Sequence, residues 1–137
     1  MNATRRDVVA TLLLMLIVDL TIASGGFPRI HRLVRRIIVQ RRRAIADETR
    51  LVEAVNDAVN RAAVWYPRVQ LCVPRSVVAT WLLRRRGLPA VFVIGIRKIP
   101  FYAHAWVEVD GRVVNDAANV QKLYPAIDYL APAGAER

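Results

Sequence analysis

The chain has 137 residues, 55% hydrophobic and 23% charged, with 6 Gly and 7 Pro, which excludes a disordered, collagen-like or low-complexity polypeptide and fits one compact domain. One cysteine excludes a secreted disulfide scaffold and points to a reducing cytoplasm; with two histidines beside it, no metal site is expected. The 21 Lys+Arg against 11 Asp+Glu give a net charge of +10, nearly all from arginine in blocks such as Arg35-Arg36, Arg41-Arg42-Arg43 and Arg84-Arg85-Arg86. That field attracts polyanions, anionic lipid or acidic polypeptides. No zinc-finger spacing, aromatic RNA-binding strand or heptad-backed basic helix accompanies it, so nucleic acid is not the expected partner.

Residues 8–18 form an apolar run preceded by Arg5-Arg6 and closed by Asp19. The run is shorter than the ~20 residues needed to cross hydrocarbon. Asp19 also sits badly between it and the small residues a signal peptidase would cut, so a buried or membrane-skimming helix is expected, turned at Gly25-Gly26 and Pro28. From Arg29 to Arg43, Ile30, Leu33, Val34, Ile37 and Ile38 recur at helical spacing opposite arginines, which predicts an amphipathic basic helix. Its Arg35 and Arg36 are candidates for contact with a substrate, a partner or an anionic membrane; a plain solvated face is the alternative. Asp47 caps a second helix whose buried stripe is expected to be Leu51, Val52, Val55, Val59, Ala62 and Trp65, ended by Tyr66-Pro67.

After Cys72 the signals of a third helix are all in place. Pro74 stands in the first turn, Val77, Val78, Trp81 and Leu82 share a face, three arginines occupy the last turn, and Gly87 and Pro89 follow. Cys72 therefore lies at a helix N-terminus. Residues 90–96 read as a buried strand followed by a turn through Pro100, and residues 103–108 and 112–115 as a hairpin around Asp110-Gly111. From Pro125 onward the sequence carries no clear signal.

A thiol at the positive end of a helix dipole, with Arg75 nearby, favours the thiolate, so Cys72 is a candidate nucleophile; a small buried hydrophobe is the plainer reading. His104 interrupts an apolar strand, where a polar ring needs a reason. A three-residue turn at Val109-Asp110-Gly111 with a bulge at Gly111 would pair Glu108 with Arg112 and set His104 opposite Asp116, about 5 Å apart at Cβ. A two-residue turn would put the pair on opposite faces. Nucleophile, base and orienter in the chain order Cys, His, Asp supply the three parts that thiol acyl chemistry requires. The Cys72 backbone N–H and the Gln70 side-chain amide are candidate oxyanion donors. Trp106 shares a face with His104 and is a candidate shield or substrate contact, with core packing as the alternative. Ser76 is expected to bond back to a helical carbonyl, Glu108 to pair with Arg112, and His31 to be exposed.

The segments Cys72-Val73-Pro74-Arg75-Ser76, Trp81-Leu82-Leu83-Arg84-Arg85-Arg86-Gly87-Leu88-Pro89-Ala90, Ile94-Gly95-Ile96, Pro100-Phe101-Tyr102-Ala103-His104-Ala105-Trp106-Val107-Glu108-Val109-Asp110-Gly111 and Val114-Asn115-Asp116 resemble the leader peptidases of lasso-peptide biosynthesis, transglutaminase-like cysteine proteases. The resemblance is close over about residues 70–117. It departs at Val73 and Val77–Thr80, where leucine is commoner, and over the first 65 residues it extends only to helical, Arg-rich character. It implies a Cys-His-Asp triad on Cys72, His104 and Asp116, no cofactor, and cleavage of a leader from a ribosomal precursor before a macrolactam synthetase closes the ring. It also implies a stand-alone protease working beside a separate leader-recognition protein.

The expected fold is α+β, papain-like or transglutaminase-like: an N-terminal helical, Arg-rich layer over residues 1–66, and over residues 67–137 a peptidase core with a small antiparallel sheet packed on the nucleophile helix. The expected function is leader removal through a thioester acyl-enzyme. The alternatives are another thiol acyl transfer of transglutaminase type, or a non-enzymatic basic adaptor for nucleic acid or membrane. A cytoplasmic location is expected, with association to a membrane through the apolar helix as a variant of it.

Overall fold

The computed structural model describes residues 3–39, 47–68 and 71–133. Three helices, α1 (Arg5–Arg36), α2 (Glu48–Trp65) and α3 (Cys72–Arg85), precede β1 (Val91–Lys98), β2 (Phe101–Val109), β3 (Arg112–Val113), a single-turn helix α4 (Val120–Leu123) and β4 (Ala126–Leu130). The sheet is antiparallel in the order β3-β2-β1-β4, so the fold is α+β. One buried cluster runs through all its layers, from Met15 and Val34 of α1 through Val55 and Val59 of α2 and Val78 and Leu83 of α3 to Phe92, Val107 and Leu130 of the sheet.

Thr4 and Asp7 close a reciprocal capping box at the start of α1. The helix passes straight through Asp19, because Tyr66 Oη donates to that carboxylate at 2.5 Å and Arg68 Nη1 at 3.0 Å. It breaks only at Gly26, whose φ of 66° lies in the left-handed region open to glycine, two residues before Pro28. This corrects the sequence-based length argument: the helix is long and apolar enough to cross a membrane by length and composition. Most of its apolar stretch is exposed here, including Leu13, Ile17 and Leu20.

The basic helix ends at Arg36 rather than at Arg43, and residues 40–46, with the Arg41-Arg42-Arg43 block, lie outside the described residues. Its ending has a visible cause. The guanidinium of Arg84, fully buried, donates to the carbonyls of Val34 and Ile37 at the end of α1, and to those of Ala90 and Leu130. Arg84 is therefore a structural clamp joining α1, α3 and the sheet, not part of a polyanion-attracting block as its sequence neighbours suggested. Burial pulls its pKa down to about 10, so it stays charged at neutral pH.

Helix α2 buries Val55, Ala58, Val59 and Ala62, whereas Trp65 in its last position is 77% exposed, contrary to expectation, because the helix stops there and none of the described residues covers the ring. Helix α3 ends as the sequence predicts, with Gly87 at φ 91° and a Leu88 N–H to Leu83 C=O bond. Strand β4 comes from the tail beyond Pro125 that carried no signal, and helix α4 from residues just before it. His31, expected to be exposed, is partly buried and bonds Asp128 of β4 at 3.0 Å.

Candidate active site

Cys72 is the first residue of α3, and Leu71 before it offers no side-chain cap, so the first amides of the helix are free to face a ligand or the sulfur. The Cys72 thiol is half-buried, against the start of β2. Its pKa is lowered, chiefly by a hydrogen bond with the His104 ring, then by the backbone N–H groups of Ala105 and Val73, against burial, which pushes it up. The His104 pKa is raised, first by the sulfur and then, against burial, by Asp116. Both shifts favour a thiolate–imidazolium pair. Arg75 takes no part in the shift: its guanidinium is turned to the Asn60 side-chain oxygen.

His104 Nε2 lies 2.6 Å from Asp116 Oδ2, which leaves Nδ1 for the sulfur. The geometry arises by a route the sequence argument did not foresee. Asp110 and Gly111 both have positive φ, 50° and 75°, the signature of a two-residue type I′ turn. The register is accordingly Val109↔Arg112 and Glu108↔Val113, one residue off the expected pairing. Continued straight, it would send Asp116 to the wrong face. The strand instead ends after Val113; Val114 N–H makes one last bond to Val107 C=O, and the chain bends away.

Asn115 holds that bend. Its Oδ1 accepts the Val107 N–H at 2.7 Å in place of a ladder partner, and its Nδ2 donates to Ser76 Oγ at 3.1 Å. Ser76 Oγ in turn donates to the Ala105 carbonyl at 3.0 Å, across to the sheet and not back along its own helix as expected. Both polar groups of Ala105, left bare where β3 stops, are thus met by helix α3: the carbonyl by Ser76 and the N–H by the Cys72 sulfur. Sequence reasoning missed Asn115 and Ser76 as the link between helix and strand; an amide directly before the orienting acid is the one signal available.

Behind the imidazole, Trp106 is fully buried and its ring lies 6.3 Å from that of His104. Its indole N–H donates to Glu108 Oε1, which also accepts from Gln121. Trp106 is therefore packing and not a substrate contact, and Glu108 does not pair with Arg112, since it is buried on the face covered by α4. Tyr124 closes the other side, 5.1 Å from the His104 ring. Gly95 lies beside His104 on β1, where a Cβ would meet the Trp106 ring at 2.7 Å and the Tyr124 carbonyl at 2.5 Å. Gln70 lies outside the described residues. Arg35 and Arg36 are exposed on the last turn of α1.

Cys72, His104 and Asp116 thus converge in an open cleft of about 700 Å³, lined also by Phe101, Ala103 and Asn115. A family model of the transglutaminase-like superfamily matches residues 14–128. The chain belongs to the transglutaminase-like superfamily. It is also 46% identical over 50 residues to the microcin J25-processing protein McjB of Escherichia coli, a stretch that is 36% of this chain and 24% of that protein. The chain therefore spans about a quarter of the length of that curated relative. No solved structure matches it.

Proposed function

We propose that the protein is a cysteine peptidase that removes the leader from a ribosomally made lasso-peptide precursor. The observation that carries the reading is the contact chain Cys72–His104–Asp116 in an open cleft, in a chain similar to a microcin-processing protein. In this reading the Cys72 thiolate attacks the carbonyl carbon of the last leader residue, and the N–H groups at the start of α3 face the oxyanion. His104 gives its proton to the departing amine, which frees the core peptide. The leader remains as a thioester; His104 then takes a proton from water, which attacks the thioester and releases the leader with a free carboxylate. Asp116 fixes the ring and favours its charged form.

Peptide hydrolysis is favoured over acyl transfer to an amine by the similarity to a microcin-processing protein. The lone free thiol fits a reducing compartment, and the reading places the protein in the cytoplasm. Residues 67–137 carry the chemistry, and the helical layer before them, with exposed Arg35 and Arg36, meets the precursor or a separate leader-recognition protein.

The test is incubation of the protein with its lasso precursor, without and with the separate leader-recognition protein, followed by mass spectrometry. Two fragments whose masses sum to precursor plus water support the reading, and Cys72→Ala abolishes them while the protein stays folded. An intact precursor, a cross-linked product, or cleavage retained by Cys72→Ala overturns it.

A further inference from the structure

Strand β2 is paired on both sides only at its C-terminal end. The β1–β2 register directs the backbone groups of Tyr102, His104 and Trp106 toward β1 and those of Phe101, Ala103, Ala105, Val107 and Val109 to the other edge. On that edge Val109 and Val107 meet β3 and Val114, Val107 N–H meets Asn115, and Ala105 meets Ser76 and Cys72. Nothing among the described residues pairs with Phe101 or Ala103 there, and both are exposed walls of the cleft that holds the sulfur.

An exposed strand edge with apolar side chains invites strand addition, and folded proteins normally blunt such edges with charge, bulges or a cover. Here the free stretch, Phe101-Tyr102-Ala103, carries no charge and ends two residues from the nucleophile's hydrogen-bond partner. The opposite direction along the edge is closed by Asn115 and β3. Among the described residues, the edge left for a peptide whose carbonyl carbon reaches the sulfur is therefore that of Ala103 and Phe101.

We propose that this edge is the binding site for the acyl side of the scissile bond, the last residues of the leader, which adds to the sheet as a short extra strand through backbone bonds to Ala103 and Phe101. The inference rests on the peptidase reading and specifies where its substrate lies. Main-chain bonds supply affinity in strand addition, with side chains tuning it. They also keep the tethered acyl fragment extended while water approaches the thioester.

The test uses a pool of tetrapeptidyl chloromethyl ketones, which alkylate the Cys72 sulfur with loss of chloride, a matched pool N-methylated at single backbone amides, and iodoacetamide as a probe too small to use the edge. The peptidyl pool is expected to alkylate Cys72 at least tenfold faster than chloroacetone, and N-methylation of one amide to remove that advantage. Ala103→Pro, which deletes the outward N–H, is expected to lose the advantage when the peptidyl rate is divided by the same variant's iodoacetamide rate. If it disturbs the iodoacetamide rate, the N-methyl comparison on the unaltered protein decides. A peptidyl pool no faster than chloroacetone, or unaffected by N-methylation at every amide, overturns the edge. A Cys72 inert even to iodoacetamide overturns the peptidase reading instead.

Discussion

Asp116 Oδ2 stands 2.6 Å from His104 Nε2 although the hairpin register puts the two residues on different rungs. The pair is made by a strand that stops early and bends, and this frees the acid to follow the ring. The Cys72 sulfur is the first cause that raises the His104 pKa, and the carboxylate adds to it by its hydrogen bond and its charge, so removing the acid lowers that pKa from its raised position. Asp116→Ala is expected to cut kcat/KM on the order of 10²-fold and to move the alkaline limb of the pH profile toward acid. Asp116→Asn, which keeps a hydrogen-bond partner without the charge, should fall between the two. An unchanged profile in Asp116→Ala would detach the acid from the site.

The thiol and the imidazole shift in opposite directions, which sets a pH window. Cys72 is lowered, so thiolate is present below the ordinary thiol value of about 8.5; His104 is raised, so its charged form persists above about 6.5. The two titrate as a coupled pair. Iodoacetamide alkylation of Cys72 is expected to rise through a midpoint below 8.5, and peptidase activity to fall on the alkaline side at a midpoint above 6.5. His104→Ala removes the largest lowering influence and leaves burial, which raises the pKa, so its alkylation midpoint must move up. A midpoint that stays in place would show that the ring does not set the thiol's charge.

The helix carrying Cys72 was legible because its beginning and end are written in local chemistry: Pro74 in the first turn, arginines in the last, Gly87 beyond. His104 and Asp116 were legible as residue types, and Asp110-Gly111 is the favoured dipeptide of the two-residue turn, but the route joining the pair was not, because the bend after Val113 is held by Asn115 bonds to Val107 and to Ser76 of another element. Arg84 was misread since nothing local distinguishes it from exposed Arg85 and Arg86; only the carbonyls it meets, from three other segments, do so. Trp65 carries the period of its helix but falls where the packing partners end. Strand β4 is held by pairing to β1, a non-local cause that leaves no trace in its own short, mixed sequence.

Asn115 is a positioning residue whose two ends do different jobs. Its oxygen caps a part-buried Val107 N–H, and its nitrogen fixes the Ser76 hydroxyl that ties α3 to Ala105. Asn115→Asp keeps the acceptor and loses the donor, whereas Asn115→Ala loses both. Unfolding free energy is expected to fall by about 1 kcal/mol for Asp and about 2 kcal/mol for Ala, read by urea denaturation. Both should lower kcat more than KM, because the sulfur and the ring are displaced from each other rather than from substrate. A variant with full kcat would show that the bend at residues 114–116 holds itself.

Arg84→Met offers the sharpest test of how the helical layer is fixed to the sheet. Met fills much of the same volume, so the cavity is small, but the carbonyls of Val34, Ile37, Ala90 and Leu130 lose their donor in the interior. Against this stands the relief of a desolvated charge, the cause that pulls the arginine pKa down to about 10. The loss of four hydrogen bonds, three of them buried, outweighs it, since each buried acceptor that loses a charged donor costs roughly 1–3 kcal/mol. A net loss of about 2–4 kcal/mol is expected in urea unfolding, together with faster amide exchange at the C-terminal end of α1 than in α3. Arg84→Lys should restore only part of the loss, because an ammonium lacks the planar fork that reaches three segments at once. Equal stability in all three proteins would mean that apolar packing alone binds the layers, and that the guanidinium merely occupies the space between them.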